Sequence, residues 1–367
     1  MSTSVVRVGL GERSYDVHVG AGVLEASGEL IAGVTKARAA AIVTNPRIGK
    51  LYAARVVKSL EESGITAHVI TVPAGERYKT LNTVRGVYEK MLDHRIDRTG
   101  MVIGLGGGVV GDLAGFVAAT YLRGVDFVQM PTSLLAQVDA SVGGKVGVDL
   151  PRGKNLVGAF YQPKIVLADT GTLRTLPKVQ FGSGLAEVIK HGIILDGEYY
   201  AYLERNLPAV MRLEEGPLAH VVRRSVELKA SVVTRDERES GLRAVLNYGH
   251  TVGHAIESLT GYKTLLHGEA VAIGMVTAAL ISHQIGIADQ SLALRIADLL
   301  VRARLPYRPP TNVTPEAVVE AMKLDKKIAH GKLRFVLAKE IGSAFVSDDV
   351  TPAVIVRALG MQVKLQV

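Results

Sequence analysis

The feature that most constrains the fold of this chain is a regular alternation of short apolar runs with helical patterns over its first half. The apolar runs, each four to six residues long and rich in Val and Ile, are Val5–Val8, Tyr15–Val19, Ala40–Thr44, Ala67–Val72, Met101–Gly104, Phe127–Pro131 and Ile165–Asp169. Helical spacing separates most of them, in Leu51–Ser63, Leu81–Asp93 and Val110–Leu122. Strands joined through helices run parallel, so this half predicts a Rossmann-like, mainly parallel sheet that begins with an antiparallel pair.

The pattern changes after about residue 176, where strand signals nearly vanish. Helical spacing marks Leu218–Arg235, His250–Thr260, Gly268–Gly286 and Leu292–Leu305, and Thr314-Pro315-Glu316 has the capping residues of a further helix start. Leu333–Ala338 is a late strand candidate. The fold class predicted is therefore α/β, with an α/β domain at residues 1–176 and a mostly α-helical domain at residues 177–367.

Composition narrows the classes of function. The net charge is +8, but the basic residues are scattered and aromatic residues make up only 5%, which does not favour a nucleic-acid partner. The longest apolar stretch, Ala270 to Ser282, is 13 residues and too short to span a bilayer, so it predicts a buried helix. The start of the chain does not have the pattern of a signal peptide, and there is no Cys. These observations predict a cytoplasmic protein without a membrane partner.

A cluster of histidines and carboxylates in the second half predicts a divalent metal site. His250 and His254 are four residues apart and so share one helix face, and His267 follows 13 residues after His254. Glu187 adds a carboxylate, and this thiolate-free set suits a catalytic metal with an open position better than a structural zinc. His254 is left open as a ligand or a substrate-binding group, and His191 is interpreted as a bystander.

A glycine loop predicts a phosphate-binding turn. The run from Val102 to Asp112 contains the spacing G-x-G-x-x-G between a strand and a helix, where backbone N–H groups can approach a pyrophosphate. Two observations disagree with the usual dinucleotide fold. The strand is about the third of the alternating run, and no acidic residue ends a strand about 20 residues further on, since Asp126 begins its strand. A plain strand-to-helix turn stays an alternative.

Several basic residues stand in glycine-rich turns or near the histidine cluster. They are Arg123, Lys145, Lys154, Lys229, Arg243 and the pair Lys326 and Lys327. One such residue is usually a solvated charge, and Lys229 alone is more typical of a helix surface. As a set they indicate a polyanionic small substrate.

Long motifs around these residues resemble the 3-dehydroquinate synthase family, and the resemblance covers nearly the whole chain. The motifs begin at Gly75, Gly106, Pro131 and Gly153, and they continue through the Glu187–Lys190 helix, the histidine cluster and Asp325-Lys-Lys. Ser133 and Ala140 depart from the commonest family residues, Thr and Ser, and both changes are small.

The resemblance implies a role for each candidate residue. Metal ligands would be Glu187, His250 and His267, with His254 on the phosphate side of the substrate. NAD-binding residues would be Glu76, Lys79, Gly107, Gly108, Val109, Asp112, Thr132, Ser133 and Asp139, together with Lys145, Lys154, Thr172 and Thr175. Substrate-binding and catalytic residues would be Arg123, Lys145, Asn155, Lys190, Lys229, Arg243, Asn247, His254 and Lys326 or Lys327, with Lys326 preferred.

The family's activity is likewise an expectation from the resemblance. It implies a homodimeric shikimate-pathway lyase that uses NAD and Zn²⁺ or Co²⁺ to convert 3-deoxy-D-arabino-heptulosonate 7-phosphate to 3-dehydroquinate and phosphate. The expected sequence is transient oxidation by NAD, β-elimination of phosphate, return of the hydride and intramolecular aldol closure. Three alternatives remain open: a cyclase that makes a cyclitol, a metal-dependent polyol dehydrogenase, and a non-catalytic nucleotide-binding regulator.

Overall fold

A computed structural model describes residues 3–261, 263–324 and 334–367. The strands are β1 Ser4–Val8, β2 Tyr15–Gly20, β3 Ala39–Thr44, β4 Thr66–Thr71, β5 Met101–Gly106, β6 Asp126–Pro131, β7 Lys145–Leu150, β8 Gly153–Phe160, β9 Ile165–Asp169, β10 Phe335–Glu340 and β11 Ser343–Ser347. The helices are α1 Ser27–Ala32, α2 Pro46–Ile48, α3 Ala54–Glu62, α4 Leu81–Asp93, α5 Gly108–Thr120, α6 Lys178–Leu195, α7 Gly197–Met211, α8 Glu215–Arg235, α9 His250–Leu259, α10 His267–Gln284, α11 Ser291–Arg302, α12 Pro315–Leu324 and α13 Pro352–Lys364.

The chain divides into two compact units. Unit 1 comprises Met1–Leu176 and Glu215–Arg238, and unit 2 comprises Pro177–Glu214 and Glu239–Val367. Helix α8 therefore belongs to unit 1, where it packs against β1 and β2.

Unit 1 is built on a seven-stranded sheet in the described part of the chain, in the order β1-β2-β9-β6-β5-β3-β4. Strand β1 pairs with β2 antiparallel, and every other neighbouring pair is parallel. The predicted mainly parallel sheet with an antiparallel start is confirmed, and each predicted strand of the first half lies within two residues of an observed one.

Strand β3 shows why both faces of this sheet are covered. Its side chains alternate between the faces, as the period of two residues requires. Ala41 and Val43 belong to the apolar cluster that includes residues of α4 and α5, and Ala40 and Ile42 belong to the cluster that includes residues of α1 and α3. A strand buried on both faces has the near-continuous apolar sequence from which it was predicted.

The strand order places a topological switch point beside the glycine loop. From β3 the chain crosses to β4 on one side, whereas from β5 it crosses to β6 on the other side, and β3 and β5 are neighbours. In open α/β sheets ligands bind outside the carboxyl ends of strands at such a point. The glycine loop follows the carboxyl end of β5, so its place in the sheet is that of a binding loop although β5 is not the first strand.

The antiparallel hairpin β7–β8 was not predicted. It carries Lys145, Lys154 and Asn155. A Cβ atom added to Gly147 would lie 2.7 Å from the carbonyl oxygen of Val157, so the two strands approach more closely than side chains would allow. Such glycines interrupt the alternation of apolar and polar residues that identifies a strand.

Unit 2 is mostly helical, as predicted, and α10 is its central element. Helix α10 packs against α6, α9, α11 and α13 and is apolar around its whole circumference, which is typical of a buried helix. The predicted start of α12 is confirmed, because the Thr314 hydroxyl accepts a hydrogen bond from the Ala317 N–H at 3.2 Å. Among the described residues, none of the helices has the length and apolar character needed to cross a membrane.

Candidate metal centre and cofactor loop

Three predicted metal ligands converge in unit 2. Glu187 lies on α6 and is fully buried, while His250 and His267 are the first residues of α9 and α10. The Nε2 atoms of both histidines lie 3.7 Å from Oε1 of Glu187. Tetrahedral ligand atoms about 2.0–2.2 Å from a cation lie roughly 3.3–3.6 Å apart, so this spacing fits one divalent ion with little adjustment.

Hydrogen bonds fix the orientation of both imidazoles. Nδ1 of His250 lies 3.2 Å from the carbonyl oxygen of Tyr248, and Nδ1 of His267 lies 3.2 Å from Oε2 of Glu257. Both partners are acceptors, so each ring carries its proton on Nδ1 and presents the lone pair of Nε2. That lone pair faces Glu187, which is the arrangement that a cation requires.

Glycines let the three helices approach closely enough to bring these ligands together. A Cβ atom added to Gly268 would lie 2.0 Å from the carbonyl oxygen of Ser183 on α6. A Cβ atom added to Gly274 on α10 would lie 2.0 Å from the carbonyl oxygen of Gly249, which precedes α9. Any larger residue at either position would push the helices apart, so the glycines set the spacing of the metal ligands.

The electrostatics of the cluster favour positive charge. The ammonium group of Lys190 forms an ion pair with Oε2 of Glu187, one turn away on α6. Oε1 of the buried Glu187 carboxylate has no hydrogen-bond partner among the described residues, which leaves it to a cation. Burial alone would lower the pKa of His267, but its hydrogen bond to Glu257 and the charge of Glu187 outweigh burial and raise that pKa.

His254 lies beside the other two histidines. Its ring centroid is 5.3 Å from that of His250 and 5.8 Å from that of His267. Its ligand atom also falls within 4.8 Å of those of Glu257 and His267. The prediction that His254 serves the substrate and not the metal therefore stays a prediction.

The glycine loop in unit 1 has the form of an anion-binding turn. Gly107 is the N-cap of α5, and its φ of −78° is accessible to any residue, so the backbone conformation does not require glycine there. A Cβ atom added to Gly107 would lie 3.3 Å from Oγ of Ser133. The bare backbone leaves the first N–H groups of α5 open to an anion.

A buried charge network lies beside this loop. Nζ of Lys79 is 2.6 Å from Oδ2 of Asp112 and also donates to Oδ1 of Asn155. Burial alone would lower the pKa of Lys79, but the charge of Asp112 and the hydrogen bond to it raise that pKa. Asp149 accepts the backbone N–H of Asn155 at 2.8 Å, which holds Asn155 at its positive φ of 55°. The structure thus brings together three predicted residues.

The structure also places the other predicted site residues of unit 1. Lys229 on α8 pairs with the carboxylate of Asp139, while the exposed Arg123 has a φ of 70°. The hydroxyl of Thr172 donates to the carbonyl of Asp169 at 2.7 Å and accepts from Gln137 at 3.2 Å, and Thr175 pairs with the hydroxyl of Tyr52. Both threonine hydroxyls are thus used within the fold, and their expected contact with NAD stays a prediction. Of the other predicted NAD residues, Glu76 lies in the turn Glu76–Tyr78, Gly108 and Val109 begin α5, and Thr132 follows β6. Lys145 and Lys154 are exposed on the hairpin β7–β8.

Two predicted substrate residues of unit 2 lie close to the start of its second segment, Glu239–Val367. Arg243 and Asn247 belong to the helical turn Leu242–Asn247, and Arg243 is buried. Nδ2 of Asn247 donates to Oε1 of Glu239 at 2.8 Å. Lys326 and Lys327 lie outside the described residues.

Sequence reasoning missed two carboxylates that hold predicted residues, Glu239 and Glu257. Glu257 could have been found, because it follows His250 by seven residues and His254 by three and so lies on the same helix face. Glu239 carries no such signal, since its link to Asn247 depends on the loop between α8 and the helical turn.

Solved structures define the class of protein to which this fold is similar. It superposes on 2-epi-5-epi-valiolone synthase from Streptomyces hygroscopicus subsp. jinggangensis 5008, which has NAD⁺ and Zn²⁺ bound, with a TM-score of 0.87 and 29% identity over 97% of this chain and 98% of the other. It is equally similar to a 2-deoxy-scyllo-inosose synthase complexed with carbaglucose-6-phosphate, NAD⁺ and Co²⁺, with a TM-score of 0.87 and 25% identity over 97% and 99% of the chains. Glycerol dehydrogenase from Schizosaccharomyces pombe shares the fold alone, with a TM-score of 0.65 and 18% identity over 94% and 87%.

Sequence comparison then gives the family. The family models for the 3-dehydroquinate synthase N-terminal and C-terminal regions match residues 69–183 and 184–328. The 3-dehydroquinate synthase of Pelotomaculum thermopropionicum is 50% identical over 94% of this chain and 92% of its own length. The chloroplastic enzyme of Arabidopsis thaliana is 47% identical over 95% and 79%. The chain belongs to the 3-dehydroquinate synthase family.

Proposed function

We propose that this chain is a 3-dehydroquinate synthase of the shikimate pathway, a lyase that converts 3-deoxy-D-arabino-heptulosonate 7-phosphate to 3-dehydroquinate and phosphate. Family membership supports this function, as do relatives of that name at 46–50% identity over nearly the whole chain. The observation that carries the chemistry is the buried carboxylate of Glu187 facing the Nε2 atoms of His250 and His267.

Zn²⁺ or Co²⁺ is the metal in this proposal. Two imidazoles and one carboxylate form an open-sided ligand set for either ion. The relatives of known structure with Zn²⁺ or Co²⁺ bound have the same fold. Glu187, His250 and His267 would hold the ion, and Lys190 would partly neutralise the carboxylate and so limit the charge of the site.

NAD is the second cofactor in this proposal. The helix α5 N-terminus, the side-chain-free Gly107 and Gly108, and their place at the topological switch point fit the pyrophosphate of a dinucleotide. Asp112 keeps the ammonium of Lys79 charged and fixed, so that a cation stands beside this loop.

The residues of the chain supply binding and proton positions for the reaction. When bound, NAD takes up and returns a hydride, and the divalent ion polarises the reacting hydroxyl and carbonyl. Arg243 offers a planar fork for a carboxylate, and lysines and His254 offer cations and donors for a phosphate. Holding a flexible sugar phosphate in the reactive orientation lowers the activation free energy, by on the order of 7–11 kcal/mol in well-oriented cases.

The alternative function is that of a cyclitol-forming cyclase. It is favoured by the two structural relatives with a TM-score of 0.87, a 2-epi-5-epi-valiolone synthase and a 2-deoxy-scyllo-inosose synthase. Their identity to this chain is 25–29%, well below the 46–50% shared with 3-dehydroquinate synthases. The dehydrogenase alternative has only the shared fold in its favour.

The choice of substrate tests the proposal. Phosphate release and carbocyclic product would be measured with the heptulosonate phosphate and with sedoheptulose 7-phosphate, which lacks the carboxylate. The wild type should prefer the carboxylated substrate, and Arg243→Lys should lower kcat/KM for it by about tenfold to hundredfold, equivalent to ~1.5–3 kcal/mol for one charged contact.

Arg295→Lys is the matched control, because Arg295 forms its bidentate ion pair with Glu204 on an exposed surface of unit 2. It should leave kcat/KM unchanged. A wild type that prefers the neutral sugar would replace the proposal by the cyclitol-forming alternative.

A further inference from the structure

Glu257 is a buried carboxylate close to the metal centre that neither the motifs nor the resemblance singled out. It lies on α9 with a relative exposure of 5%, on the helix face that carries His250 and His254. A buried carboxylate is unfavourable unless a hydrogen-bond donor or a cation accompanies it. Its presence in the interior of unit 2 therefore calls for a partner.

His267 is one such partner. Oε2 of Glu257 lies 3.2 Å from Nδ1 of His267, on the side of the ring opposite the atom that faces Glu187. A carboxylate accepts at this distance, so Nδ1 carries a proton, and the neutral ring then has its lone pair on Nε2. The contact also limits rotation of the ring, which stands at the start of α10 and has a side-chain exposure of 36%.

The two candidate imidazole ligands are thus held differently. The backbone carbonyl of Tyr248 accepts from Nδ1 of His250, whereas a charged side chain accepts from Nδ1 of His267. A carboxylate acceptor makes the imidazole a stronger electron donor than a carbonyl does, because its negative charge stabilises the positive charge that develops on the ring as electron density moves to the metal.

We propose that Glu257 is a positioning residue for the metal: it fixes the Nδ1–H tautomer and the orientation of His267 without touching the ion. This inference rests on the proposed metal site of Glu187, His250 and His267. The competing arrangement makes Glu257 a ligand, since its carboxylate oxygen lies within 4.8 Å of ligand atoms of His254 and His267.

Metal affinity of the metal-free protein tests the proposal without relying on activity. Apo-protein would be titrated with Co²⁺ and Zn²⁺ against a competing chelator, for the wild type, Glu257→Gln and Glu257→Ala. Loss of a partner that orients a ligand costs about tenfold to hundredfold in metal affinity. We expect about tenfold for Glu257→Gln, whose amide oxygen still accepts, and about hundredfold for Glu257→Ala. Both variants should still bind one ion per chain.

Glu269→Gln is the matched control. Glu269 is also acidic and near His267, but its Oε2 accepts the backbone N–H of Leu266 at 2.7 Å as part of the α10 cap. The substitution removes one negative charge near the site and leaves the hydrogen bond between Glu257 and Nδ1 of His267 intact. Because solvent and salt screen the lost charge, metal affinity should change by less than about threefold.

The tautomer of His267 gives a second test. If Glu257 only stabilised the fold, its substitution would leave the tautomer of His267 unchanged. In ¹⁵N-histidine spectra of the apo-protein, recorded at a pH high enough for the ring to be neutral, His267 should be the Nδ1–H tautomer in the wild type and in Glu257→Gln, and a mixture in Glu257→Ala. Unchanged metal affinity in both Glu257 variants would overturn the inference, as would two ions per chain in the wild type. If instead the wild type binds no metal, or His250→Ala binds it normally, the proposed metal site itself fails.

Discussion

At the residue scale, the imidazole nitrogens decide which histidines can hold a cation. In His250 and His267 the Nδ1 atoms face acceptors and the Nε2 atoms face the same carboxylate oxygen of Glu187. The ring of His254 lies beside both, with its centroid 5.3 Å from that of His250 and 5.8 Å from that of His267, and its ligand atom belongs to a second candidate set with Glu257 and His267. We expect His250 and His267 to hold the ion and His254 to serve the substrate.

This difference gives a direct comparison of two substitutions. His267→Ala should lower metal content to a small fraction of one ion per chain and abolish turnover, because one of three ligands is lost. His254→Ala should retain the ion. Elemental analysis of the purified variants checks this, with circular dichroism to show that both are folded. Equal loss of metal in the two variants would place His254 among the ligands.

At the element scale, the spacing of α9 and α10 depends on glycine. Gly249 has a φ of +78°, and the closest approach of the two elements is at Gly274. Because His250 and His267 begin these helices, the distance between the helices sets the distance between the ligands.

Gly274→Ala should therefore weaken both the fold and the metal site. The new Cβ atom would lie 2.0 Å from a backbone oxygen, and overpacking of this kind costs about 1–3 kcal/mol. Denaturant unfolding and metal titration would measure the two effects. Gly360→Ala on α13 is the control, because its Cβ atom would meet nothing within 4 Å, and it should stabilise by about 0.5–1 kcal/mol. Normal metal affinity in Gly274→Ala would mean that helix spacing does not set the ligand geometry.

The β5–α5 turn makes a second prediction for an element. Gly107→Val should reduce NAD affinity at least about tenfold, because a branched side chain would stand over the first N–H groups of α5, where an anion binds. Calorimetry measures the affinity, and Gly86→Val, on the open face of α4, should leave it unchanged. An unaltered affinity in Gly107→Val would mean that this turn does not contact the cofactor.

Most elements of the fold could be predicted from sequence, because buried parallel strands are continuous apolar runs and buried helices have an all-round apolar pattern. Strands β3 and β9 and helix α10 show this clearly. The hairpin β7–β8 could not be predicted, since glycines at its close approach break the strand period. At the candidate site, the types of metal ligand could be predicted from the spacing of the histidines and Glu187. The role of Glu239 depends on loop geometry, and that of Glu257 depends on the orientation of the His267 ring.

At the scale of the whole molecule, a formal net charge of +8 suits a substrate that carries both a phosphate and a carboxylate. The candidate NAD residues lie in unit 1, and the candidate metal ligands lie in unit 2. Homodimer formation, a cytoplasmic location and the domain boundary at residue 176 stay predictions.

We propose that the chain is a metal-dependent synthase that regenerates its NAD in each turnover. The most direct measurement is product formation by metal-free protein reconstituted with Co²⁺ or Zn²⁺, with the heptulosonate phosphate in large excess over NAD. We expect no turnover before metal is restored, then equal amounts of phosphate and 3-dehydroquinate well beyond the amount of NAD, with no accumulation of NADH absorbance. Turnover that is unaffected by metal removal, or NADH that appears in step with product, would contradict it.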